Sequence, residues 1–299
     1  MINEKSSREE VLEAVEDDGN ALEYASEKLK NDREVVLAAV ESSYGDAFEY
    51  ASEELKNDRE VVLEAVKLSD GKAFIYASEE LQNDKEMVLE ALYYGDVTYV
   101  LGAASEEVLG DKKFVLEAVK LSSFTLKYVN ENFRNDRDVV LEAAKDEDSY
   151  VLKYASEELK NDREIVLEAV KHNGELLKYA SEELKKDKEI VLEAIKNGGD
   201  LGDASEEFAN DREFMLEAVN DANVLEYASE ELKKDREVVL EAVKNNGIAL
   251  EYAGEELKKD REVVLEAVKN NGIALEYASE ELKKDREVVL EAVKNNGIA

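Results

Sequence analysis

The chain has no proline, no cysteine and no tryptophan, and only one histidine, in 299 residues. Without proline, no position is denied to a helix by a missing N–H or a ring clash. Without cysteine there is neither a disulfide nor a thiolate for zinc, which fits a reducing compartment. A lone histidine, His172 in KHNG, is too little for a catalytic triad or a histidine-rich metal site. Long apolar runs are missing as well: none approaches the ~18 residues of a membrane span. The opening MINEKSSREEVLEAV has charges where a signal peptide would carry its apolar stretch. Basic residues are scarce, 39 Lys and Arg against 74 Asp and Glu, and the net charge of −35 opposes nucleic-acid binding. The expectation is a soluble cytoplasmic protein with no membrane and no nucleic-acid partner.

What the chain does have is repetition. The motif V-L-E-A-V and its close variants begin at Val11, Val36, Val62, Val88, Val115, Val140, Val166, Val191, Met215, Val239, Val264 and Val289, at intervals of 24 to 27 residues. The spacing predicts one repeat domain over residues 1–299, with irregular junctions near 93–111 and 197–210.

Each repeat reads as two short helices. Four residues before each motif stands a helix-capping residue: Ser7, Asp32, Asp58, Asp84, Asp111, Asp136, Asp162, Asp187, Asp211, Asp235, Asp260 and Asp285. Ser7 is placed for a capping box with Glu10. The helix then runs about three turns to a stop signal. Gly19, Gly174, Gly247, Gly272 and Gly297 are expected there in the left-handed conformation, with Asn223 a good substitute and Ser123 and Asp148 poorer ones. The other helix is IALEYASEEL, in which Leu250, Ala253 and Leu257 share a stripe. Serine at positions such as Ser229 and Ser279 could instead end that helix and cap a separate turn. The second helix is apolar over a wide arc, as a helix between two neighbours in a stack must be. The fold class is therefore all-α, a right-handed α-solenoid of about twelve two-helix repeats.

The pattern L-x-Y-A-S-x-E-L-K-x-D-R-E-V-V-L-x-A-V-x-x-N-G, complete in Leu225–Gly247 and Leu275–Gly297, resembles the tandem repeats of domain of unknown function 4116. A weaker likeness, in unit length and spacing, is to leucine-rich variant repeats, which alternate an α-helix with a 3₁₀ segment. Both resemblances imply a helical superhelix, and neither implies an activity.

No group of residues converges into recognisable chemistry, so no catalytic, cofactor or metal site is read. Paired acids recur from Glu53/Glu54 to Glu280/Glu281, and a tyrosine ladder runs from Tyr24 to Tyr277. Both fit ordinary surface and packing roles better than a binding stripe. The departures from the repeat are the candidate partner-binding positions: Tyr93, Tyr94, Tyr99 and Lys113 at one irregular junction, and Asp203, in a tyrosine slot, at the other. The expected function is a non-enzymatic scaffold or protein–protein interaction module with an unidentified protein partner, a basic one being the complement of the chain's charge. The alternative is an acidic decoy that occupies a basic or nucleic-acid-binding protein. The chain finishes at Ile298–Ala299, where another first-type helix would begin. An uncovered apolar face there suggests head-to-tail self-association or a truncated array.

Overall fold

The computed structural model describes residues 2–146, 150–219 and 224–295. They form two compact units, Met1–Ser156 and Glu157–Ala299, and among the described residues there is no strand. In the first unit six described helices follow the capping residues: α1 (Arg8–Asp17), α2 (Arg33–Ser42), α3 (Arg59–Leu68), α4 (Lys85–Tyr94), α5 (Lys112–Leu121) and α6 (Arg137–Ala143). The second contains α7 (Arg163–His172), α8 (Lys188–Lys196), α9 (Arg212–Ala218), α10 (Arg236–Asn245), α11 (Arg261–Asn270) and α12 (Arg286–Asn295). Within each unit they follow one another in a repeat stack, an all-α solenoid architecture.

The repeat at Arg236–Asp260 shows why the sequence folds this way. Asp235 is extended and its carboxylate accepts the N–H groups of Glu237 and Val238, which starts α10. Val238, Val239, Ala242 and Val243 are buried, an arc wide enough to face two neighbours. Asn246 then turns extended, at φ −137°, and ends the helix. Its side chain at once accepts the N–H of Ile248 and so starts the next element.

That element is not an α-helix. Gly247–Tyr252 is a 3₁₀ helix. Leu250 and Ala253 lie three apart, a spacing that shares a face in either helix type, so the apolar pattern could not separate the two. Ala253 is extended and breaks the element. Elsewhere a serine follows and caps a separate turn, as Ser52 does by accepting the N–H of Leu55. Each regular repeat is thus a long α-helix, a 3₁₀ segment and a short turn. This is the α/3₁₀ alternation that the weaker family likeness implied. The irregular junction differs: Val97–Ala103 is α-helical, with Ala103 as its last residue.

The glycine reading is corrected. Positive φ among the described glycines occurs at Gly45, Gly71 and Gly198. Gly19, Gly174 and Gly247 do not stop a helix by turning left-handed; each opens a 3₁₀ segment. Their role is close approach. A Cβ would stand 2.1 Å from the Ala39 carbonyl oxygen at Gly19, 2.0 Å from that of Ala194 at Gly174, and 2.3 Å from that of Ala267 at Gly247. Each partner is the alanine of the next repeat's V-L-x-A-V or V-L-x-A-I segment, so the glycine sets how tightly one repeat seats on the next. Gly272 is buried at the same position. Ser123 occupies the slot as the start of a 3₁₀ segment, buried, with a hydroxyl that finds no partner. Gly297, Asn223 and Asp148 lie outside the described residues.

Candidate interaction surface

Many of the recurrent polar residues join one repeat to the next. Ser7 and the eleven aspartates that precede the later helices each accept a first-turn N–H. Several of the aspartates are also gripped by the preceding repeat. Nε of Arg8, Arg163, Arg212 and Arg236 lies 2.8 Å from Asp32, Asp187, Asp235 and Asp260, respectively. The same guanidinium groups reach Glu34, Glu189, Glu237 and Glu262. The carboxyls of Asp32, Asp235 and Asp260 are held below the usual range, chiefly by the arginine hydrogen bond.

A second ladder runs through the serine turns. The Ser52 N–H donates to the Lys30 carbonyl at 2.9 Å, and Ser78, Ser181 and Ser279 do the same to Lys56, Lys160 and Lys258. The serine hydroxyls donate to asparagine one repeat earlier, Ser52 to Asn31 and Ser181 to Asn161, both at 2.5 Å. The paired acids share in this. Glu54 and Glu80 accept from Asn31 and Asn57 at 2.8 and 3.1 Å. Glu53, Glu182 and Glu280 pair with Lys56, Lys185 and Lys283 at 3.1, 2.9 and 3.0 Å. Much of the acidic stripe is therefore already engaged within the fold.

The tyrosine ladder is half-buried at Tyr50, Tyr76, Tyr252 and Tyr277. Burial first, and a glutamate of the preceding repeat second, raise the phenols of Tyr50 and Tyr252. Asp203 interrupts this ladder in the second unit. Partial burial, then the charge of Asp200, raise its carboxyl. Tyr227 closes over the gap: its ring lies against Gly202, and its hydroxyl donates to Asp200 at 2.8 Å. That bond, with burial, pushes the phenol up to about 12.

The first-unit candidates separate along the helices. Tyr93 and Tyr94 end α4, 72% and 42% exposed, with rings edge to face at 5.0 Å. Tyr99 is exposed on the helix Val97–Ala103. Lys113 is exposed in the first turn of α5. The N-terminal ends of α4 and α5 adjoin, because Lys85 pairs with Asp111 at 2.8 Å. Lys113 is therefore about a helix length, ~15 Å, from Tyr93 and Tyr94. It occupies the slot where other repeats carry the glutamate that receives the preceding arginine. Sequence reasoning missed Tyr44 and Leu121, which are 77% and 46% exposed. The signal was an apolar residue where regular repeats have asparagine, at Leu121, and an extra residue before Gly45, at Tyr44.

No convergent chemistry accompanies these surfaces. Among the described residues no group of three or more His, Cys, Asp or Glu could hold a metal ion. No helix among them is long and apolar enough to cross a membrane. A cleft of about 970 Å³ between α1 and Gly19–Tyr24 is lined largely by acids, including Glu10, Glu13, Asp17 and Asp18. His172 stands 3.7 Å from Glu168 on its own helix.

Fold and surface together define a tandem helical-repeat protein. The family model described as a domain of unknown function (DUF4116) matches in overlapping stretches from residue 7 to residue 299, leaving only 109–110 and 259 unmatched between them. The chain belongs to this family. Comparison with curated proteins gives no match.

Proposed function

We propose that the chain is a non-enzymatic scaffold or protein–protein interaction module that works in the cytoplasm. The observation that carries this reading is a division of labour among its polar residues. Arginine, asparagine and serine join one repeat to the next, and the paired glutamates bond either to that asparagine or to a lysine of their own turn. Three exposed tyrosines, Tyr93, Tyr94 and Tyr99, stand together where the repeat is broken. A stack that presents irregular features on a regular frame suits recognition. Against acidic mimicry weighs the pairing of so many carboxylates with the chain's own lysines and arginines. Affinity capture from lysate, identified by mass spectrometry at two salt concentrations, tests the module reading. A retained protein is expected, and a capture identical to an unrelated acidic control would sink it.

A further inference from the structure

In the second unit the C-terminal ends of the last long helices close on one another. Asn270 donates to the carbonyls of Lys244 and Asn245 at 2.7 and 3.2 Å. Asn295 repeats this on Lys269 and Asn270 at 2.9 and 3.1 Å. At the same helix position the first unit has Leu68, Tyr94 and Leu121, none with an amide to give. The helix-end carbonyls of α3 and α4 thus receive no such bond from the helix that follows.

The edge these ends form is continuous. Gly45 abuts Ser69, and Gly71 abuts Gly95. Lys67 Nζ stands 4.3 Å from the centre of the Tyr94 ring. Tyr44, Tyr93, Tyr94 and Leu121 lie exposed along it. Three features ask for a cation: the partial negative charge of helix C-termini, the faces of tyrosine rings, and a net charge of −35. Lys67 over Tyr94 is the fold's own example of such a contact, and among the described residues no lysine or arginine stands over Tyr93 in the same way.

We propose that this edge of the first unit docks a basic, extended segment of a partner protein. Its arginine or lysine side chains lie on Tyr93 and reach the helix-end carbonyls of α3 and α4, while intervening apolar side chains cover Tyr44 and Leu121. The inference rests on the interaction-module reading and names the chemistry of the partner.

The test is an anisotropy titration of the whole chain with a short labelled peptide alternating arginine and leucine, beside one alternating glutamate and leucine. Binding of the arginine peptide alone is expected. The variant Tyr93→Ala with Tyr94→Asn should weaken it roughly tenfold, because one ring contact is lost and the new amide, the second unit's own residue at that position, takes the helix-end carbonyls of α3. Circular dichroism checks the fold, and Tyr93→Ala alone, an exposed change, serves if the double variant fails to fold. Undiminished affinity in a folded variant overturns the proposal, because the net charge alone would then explain binding. No binding of the arginine peptide overturns it too. A lysate partner captured equally by the wild type and the variant overturns this surface while leaving the module reading intact. Capture of no partner by either sinks the module reading instead.

Discussion

Replacing Gly247 with alanine should destabilise the second unit, although alanine is the better helix former. The new Cβ would stand 2.3 Å from the Ala267 carbonyl oxygen and 3.1 Å from Asn271 Cβ. Ordinary carbon–oxygen contacts are nearer ~3.3 Å, so α11 would have to retreat by about 1 Å from the segment 247–252. A backbone oxygen cannot rotate aside as a side chain can. The retreat loosens an interface in which Val264, Ala267 and Val268 are fully buried. That places the cost in the upper part of the overpacking range, about 2–3 kcal/mol. A requirement for left-handed backbone would give another pattern: asparagine tolerates that conformation better than alanine, so Gly247→Asn would be the milder change. Close approach reverses the order, because asparagine brings the same Cβ and an amide besides. Gly102 is the control, since nothing lies within 4 Å of its Cβ position. In the helix Val97–Ala103, Gly102→Ala should stabilise by about 0.5–1 kcal/mol. Urea unfolding followed by circular dichroism reads all three variants. A Gly247→Ala chain with the wild-type midpoint refutes the reasoning.

Asn270→Leu removes a side-chain amide that closes the end of α10 and should cost about 1 kcal/mol in the same assay; no loss would make that ladder ornamental. Asp235→Ala removes both a cap and the Arg212 contact, and the cap alone should cost about 1 kcal/mol. Stability should depend on pH in one direction. The folded carboxyls of Asp32, Asp235 and Asp260 lie below the ordinary value of about 3.9. Their contribution is complete above that value and is lost as pH falls through the folded pKa. The urea midpoint should hold through weakly acid solution and drop below about pH 4, and a fall already near pH 6 would contradict this. Asp203 runs the other way: the fold disfavours its charge, so Asp203→Asn should raise the melting temperature at neutral pH, and a lowered one would count against it.

The long helices were legible because their signals are local. An aspartate before a glutamate-rich first turn and a wide apolar arc depend on one segment only, and the resemblance to domain of unknown function 4116 drew on the same letters. The 3₁₀ segments were not, since a three-residue spacing of apolar positions serves both helix types. Glycine misled because a sequence gives its position but not the sign of φ; Gly247 answers to Ala267 in the next repeat, not to its own turn. The joining contacts were hidden for the same reason. Arg236 with Asp260, or Asn270 with Lys244, meet only when repeats stack, though the recurrence of arginine beside aspartate at one repeat interval was a visible hint. At the candidate surface, Tyr93 and Tyr94 stood out as departures, whereas Tyr44 and Leu121 became apparent once helix ends were seen to form an edge.

The central claim is that the regular residues hold repeats together while the irregular helix ends of the first unit meet the partner. Ring-labelled tyrosine allows the chain's 14 tyrosines to be followed by NMR during titration with the arginine–leucine peptide. The account predicts shifts at Tyr44, Tyr93 and Tyr94, with Tyr50, Tyr76, Tyr252 and Tyr277 unmoved. Shifts spread along the ladder tyrosines, with Tyr93 and Tyr94 silent, would contradict it.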